Sequence, residues 1–146
     1  MIIGEQEKIN TDALLKQARS TQLSLNLTPD YKYYILMCGI FNPQRSPIKH
    51  WATFEECFAR LAAIDKEVGH KRVFQAIILF FKRYPDMKKQ AATLCKMTYD
   101  SGFFTDTFFT QWNEKKLKLD KTCCLYDRKA EKEMRALLTD FMGWLT

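Results

Sequence analysis

Residues 70–85, HKRVFQAIILFFKRYP, limit the fold more than any other part of the chain. Between Val73 and Phe81 only Gln75 is polar. A segment apolar on nearly every side must be enclosed by other elements, so it predicts the central, most buried member of the fold. Lys71, Arg72, Lys82 and Arg83 bracket it and are expected in water at its two ends. The run could also be a buried strand, but its basic flanks and its length favour a helix. Its longest unbroken apolar part, residues 76–81, is far shorter than the roughly 20 residues a membrane span needs.

Start and stop signals elsewhere give an all-α reading. Asn10, Thr11 and Asp12 form a helix start ahead of an apolar face at Ala13, Leu14, Leu15 and Ala18. The polar stretch 20–26 sets residues 1–27 apart as a part-helical appendage to a helical domain spanning 28–146. Thr28 as cap, with Pro29 at the first helical position, opens a helix that runs through Phe41 and stops at Asn42 and Pro43. Residues 44–51 read as a connector. Thr53 with Glu56 reads as a capping box for a helix that turns Phe54, Cys57, Phe58, Leu61, Ala62 and Ile64 inward and ends at Gly69.

Pro85 and Asp86 begin another helix, with Met87, Ala91, Leu94, Cys95 and Thr98 inward and Gly102 as its stop. Thr105 and Asp106 cap a short helix carrying Phe108, Phe109 and Trp112. Residues 115–121 form a charged connector with four lysines. Asp127 caps one final helix with Ala130, Met134, Leu137, Leu138, Phe141, Trp144 and Leu145 at helical spacing. With no strand pair or hairpin turn in sight, the expectation is about seven helices in antiparallel pairs.

Composition narrows the function classes. The five cysteines include no C-x-x-C pair and the two histidines stand alone, so neither a metal site nor a cofactor is predicted. No G-x-S-x-G, Gly-rich phosphate loop or H-E-x-x-H occurs, and nothing near Asp100 and Asp106 supplies a nucleophile or partner acid. The expectation is a binding module, not an enzyme, in the cytoplasm and monomeric. Net charge is +6, from fifteen Lys/Arg against nine Asp/Glu up to residue 98 and eight of each beyond it. Lys71, Arg72, Lys82, Arg83, Lys88 and Lys89 therefore stand as a basic surface for an acidic partner or RNA.

Residues 98–116, TYDSGFFTDTFFTQWNEKK, interleave aromatics with acids, and EKEMRALLTDFMGWLT repeats that grammar at the end of the chain. Most of these rings are expected in the core. Adjacent pairs such as Phe103–Phe104 and Phe108–Phe109 cannot both point squarely inward from one helix, so at least one ring should be partly exposed.

A Y-D box closing on W-x-E (Tyr99, Asp100, Trp112, Glu114), followed by a last helix ending F-x-x-W-L (Phe141, Trp144, Leu145), resembles the W2 domain. That domain closes eukaryotic translation initiation factor five, its mimic proteins and the epsilon subunit of the exchange factor for initiation factor two. The resemblance spans roughly residues 34–146 and implies a HEAT-like array of helix pairs. It also implies an adaptor that grips lysine-rich segments of the beta subunit of initiation factor two and contacts initiation factors one and three. It places partner binding on Tyr99, Asp100, Asp106, Trp112, Glu114, Glu131, Glu133, Asp140 and Trp144. The first box departs from the family in holding Gly102, Phe103, Phe104, Thr105, Thr107 and Phe108 where several acids are usual. The family's zinc-bearing GTPase-activating domain has no counterpart here, so a fragment of a longer protein or a stand-alone relative is expected. Two other readings remain at this point: a helical-repeat RNA scaffold using the basic surface, and an epsilon-type nucleotide-exchange domain.

Overall fold

The computed structural model describes residues 10–65 and 68–145. Among them the chain is all-helical: α1 (Thr11–Ser24), α2 (Tyr31–Ile40), α3 (Pro47–Ile64), α4 (Gly69–Arg83), α5 (Ala91–Asp100), α6 (Asp106–Asn113), α7 (Arg128–Leu137) and α8 (Thr139–Leu145). A 3-10 turn, Pro85–Gln90, leads into α5.

Seven of the eight described helices lie in two rows, and α6 packs on α8. One row runs α1, α3, α5, α8 and the other α2, α4, α7, with cross-contacts between α1 and α2, α3 and α4, α5 and α7, and α7 and α8. As its sequence demands, α4 is the centre: Val73, Phe74, Ile77 and Phe80 are completely buried, and it touches α2, α3 and α7. Residues 11–24, inside the stretch set apart as an appendage, pack through Leu14 and Ala18 onto α2 and α3. Residues 1–9 lie outside the described part.

Local chemistry explains most boundaries. Asn10 caps α1 by accepting from the Ala13 N–H, Thr105 caps α6 through Phe108 and Asp127 caps α7 through Ala130. Three helices end in the same double bond pattern. The N–H two residues past the cap bonds a carbonyl five residues back, and the N–H before it bonds a carbonyl three back, around a left-handed residue. The left-handed residues are Asn26 after α1, Gly102 after α5 and Lys115 after α6, with φ of 54°, 83° and 63°. For a lysine that backbone carries a steric cost which glycine escapes.

Five boundaries differ from the sequence reading, one being that Pro85 and Asp86 open a 3-10 turn and α5 begins only at Ala91. The second helix starts at Tyr31, because residues 28–30 form a turn in which the Thr28 carbonyl accepts from the Tyr31 N–H. Helix α3 starts at Pro47, capped by the Ser46 hydroxyl accepting from Ile48, so Thr53 is an exposed mid-helix residue and Trp51 is in the core. The Ser46–Pro47 pair supplies both a cap and a pre-set φ, which a box six residues later cannot displace. The last helix is two, broken at Leu138, whose side chain is fully buried as α8 turns away from α7.

Gly69 does not end α3 but opens α4, where it is pressed against the backbone of α3. A Cβ there would overlap the Ala62 carbonyl, an atom that cannot swing aside. Only glycine lets α4 leave α3 at this distance. Gly69→Ala should therefore cost about 3 kcal/mol or more, read as a lower urea midpoint with an unchanged slope.

Candidate functional site

The acidic-aromatic residues named from the sequence do not form one surface. Trp112 is fully buried, and its indole N–H donates to Glu131 Oε2 at 2.9 Å. Glu131 is itself buried on α7. Arg135, one turn further on, lays its guanidinium over the Trp112 ring at 4.7 Å and donates to the Trp112 carbonyl at 3.1 Å. These three residues join α6 to α7, and the Trp112 ring itself offers no face to a partner. The i, i+4 pairing of Glu131 with Arg135 was visible in the sequence, but which side faced Trp112 was not.

The outward part of the set gathers around Trp144, which is 55% exposed. Tyr99 meets it edge-on at 5.7 Å and Phe141 stacks at 6.0 Å, so the exposed indole rests on α5 and on its own helix. The Lys96 ammonium lies 5.1 Å above the Trp144 ring and 3.1 Å from the Asp100 carboxylate. A cation shared between an indole face and a carboxylate is the arrangement that recognises lysine side chains.

The remaining acids are separate. Asp106 and Asp140 are exposed, each in the first turn of a short helix, where a negative charge is favoured. Glu114 is exposed and pairs with Lys116 at 2.9 Å. Glu133 lines a shallow groove with Lys82 and Lys88, among the residues assigned to the basic surface.

That basic surface is divided in the same way. Arg72 is 7% exposed, contrary to its expected place in water. It reaches Asp30 at 3.4 Å, Asp120 at 3.2 Å and the Gln75 side chain at 3.1 Å. Gln75 was the one polar residue in the apolar run of α4, and its position three residues from Arg72 was the signal for this interior network. Lys82 is paired with Asp127, while Arg83 stacks on Tyr84 at 5.5 Å. Lys88 and Lys89 are exposed on the 3-10 turn and Lys71 is half-buried.

The sequence reading missed a second cationic region. The connector after α6 and one face of α7 enclose a groove of about 450 Å³ with Lys115, Lys118, Lys121, Arg128, Lys132 and Arg135 in its lining. The spacing of Arg128, Lys132 and Arg135 at i, i+4 and i+7 marks one helix face and was available in the sequence.

No group of His, Cys, Asp and Glu that could hold a metal occurs among the described residues. The described cysteines are all free thiols, and burial pushes the Cys95 thiol up to about 12. No helix among the described residues is long and apolar enough to cross a membrane. Comparison with known protein families, with curated proteins and with solved structures finds no match to this chain.

Two predictions follow from this geometry. Trp112→Phe keeps the ring and removes the donor, leaving the Glu131 carboxylate short of a partner, and should lower stability by about 1–3 kcal/mol in chemical unfolding. Asp127 is held below the ordinary aspartate value of 3.8, chiefly by the bond from Lys82 and then by the Ala130 N–H. A depressed carboxylate stabilises the fold above its unfolded value and loses that contribution as pH falls through its folded one. Asp127→Asn keeps a capping oxygen, so unfolding midpoints measured on acidification below 3.8 should decline less steeply in the variant than in the parent.

Proposed function

We propose that this chain is a helical adaptor of the W2 type acting in translation initiation, in the cytoplasm, with Trp144 and its neighbours as the surface that receives lysine-rich segments. The beta-subunit tail of initiation factor two is the partner this reading favours, with initiation factors one and three as further contacts. The observation that carries it is the lysine already seated there: the Lys96 ammonium between the Trp144 ring and Asp100. An incoming lysine would replace Lys96 and find the same indole face and carboxylate, with Tyr99 and Phe141 holding the ring in place.

The reading uses Tyr99, Asp100, Trp144 and the outward acids Asp140 and Asp106, and assigns Trp112 and Glu131 to the frame behind them. A lysine-rich peptide offers many equivalent ammonium groups, so a shallow site that fits one can hold a mobile segment by repeated capture. This is binding chemistry and needs neither nucleophile nor cofactor.

The test is a titration of a lysine-rich peptide followed by calorimetry. Micromolar binding is expected for the parent chain, with Trp144→Ala about fivefold weaker from loss of the cation–ring contact. Lys96→Met, which frees the ring and the carboxylate, should bind more tightly than the parent. Absence of binding by both the parent and Lys96→Met would overturn the proposal.

A further inference from the structure

We propose that the groove between the α6–α7 connector and α7 binds a single strand of nucleic acid through its phosphates, with Tyr126 as a stacking platform for a base. This site is separate from the Trp144 surface and does not depend on the adaptor reading.

The charge in the groove is nearly all of one sign. Six cationic side chains line it against one carboxylate, Glu131, which is already engaged with Trp112 and Arg135. Among the described residues, Lys115, Lys118, Lys121, Arg128 and Lys132 enter no ion pair. Six basic residues elsewhere are paired, among them Lys82 with Asp127, Arg72 with Asp30 and Asp120, Arg60 with Asp12 and Lys32 with Asp65, whereas this groove gathers five without an ion pair around one concavity. Leaving five unanswered cations around one concavity is unfavourable by mutual repulsion unless an anion fills it. Arg128 makes this worse, because it stands in the first turn of α7, at the positive end of the helix dipole.

The groove is also held open in advance. The connector is pinned by buried Leu119 and Leu125, by the Asp120 carboxylate on Arg72 and by the Gln75 amide donating to the Asp120 carbonyl at 3.4 Å. Lys115 enters the wall from a left-handed backbone position that fixes the direction in which the chain leaves α6. A wall already ordered loses little entropy when a ligand arrives.

The half-buried aromatic ring of Tyr126 in the same lining separates nucleic acid from an acidic peptide. Phosphates could be replaced by carboxylates, but a planar ring among guanidinium and ammonium groups also offers a face to a base. A cationic groove with an aromatic platform is how single strands are held without reading their sequence.

Fluorescence anisotropy with a labelled oligouridylate tests this on the whole chain. Binding is expected at low salt, with log affinity falling linearly in log salt at a slope of roughly −3 for four or five phosphates contacted. The triple reversal Lys118→Glu, Lys121→Glu, Lys132→Glu changes only exposed side chains and should abolish it, with circular dichroism unchanged. Lys88→Glu with Lys89→Glu, on the 3-10 turn, should have little effect. Tyr126→Ala should weaken oligouridylate about tenfold and leave oligoglutamate unchanged. No binding by the parent would overturn the proposal, as would oligoglutamate binding equally tightly or loss of binding with Lys88 and Lys89 instead of the groove.

Discussion

Arg72 is a cation set into the most buried of the described helices, and the arrangement of the other elements depends on how it is satisfied. Withdrawing a guanidinium from water costs several kcal/mol unless partners replace the lost hydration. Here they come from two places distant in sequence, Asp30 at the start of α2 and Asp120 in the connector before α7, and from Gln75 one turn away on α4 itself. The charge thus selects one way of seating α2 and the connector against α4, which hydrophobic contact alone leaves less defined. A second polar tie reinforces the same region, with the Tyr33 hydroxyl donating to Asp65 and Lys32 lying 3.6 Å from that carboxylate. Burial and the neighbouring carboxylate both raise the Tyr33 phenol well above its ordinary value, so the ring stays a donor.

Around this frame the aromatic residues act as filler of a directional kind. Phe74 of α4 receives Phe104, Phe108, Phe109 and Trp112 edge-on, with ring centroids between 4.8 and 6.0 Å apart. Phe109 in turn meets Phe141, and Phe141 stacks on Trp144. Phe103 reaches the other way, to Trp51 of α3 and the ring of His70. Phe103 and Phe104 therefore divide between Trp51 and Phe74, whereas Phe108 and Phe109 both meet Phe74. Two adjacent rings need not share one core when the turn before α6 lets them face different helices.

What the sequence made legible were features with a local cause. The apolar circumference of residues 73–81 identified α4, and the caps at Asn10, Thr105 and Asp127 and the stop at Gly102 appeared where their side chains or backbone require. What it concealed were features with a tertiary cause. Gly69 carries the same signal whether it closes one helix or begins the next, and only its closeness to Ala62 decides. The helical period runs unbroken through Leu138, so the turn between α7 and α8 comes from packing, not from a breaker residue. The candidate surface was legible as composition but not as placement: Trp112 and Glu131 satisfy each other inside, while Lys96, with no motif to mark it, sits at the exposed indole.

The unequal placement of the tryptophans has an optical consequence. Trp51 and Trp112 lie at 1% and 0% exposure, the first among Phe41, Phe58 and Phe103 and the second against Phe74, whereas Trp144 is 55% exposed. The chain thus carries two shielded indoles and one in contact with water. Its intrinsic emission separates into a blue, quencher-resistant part that reports the integrity of the fold and a red part that belongs to Trp144. Tyr99 lies within energy-transfer distance of that indole and the Lys96 ammonium sits over its face, so the colour of a single residue records whether the end of α8 is closed on α5 or engaged elsewhere.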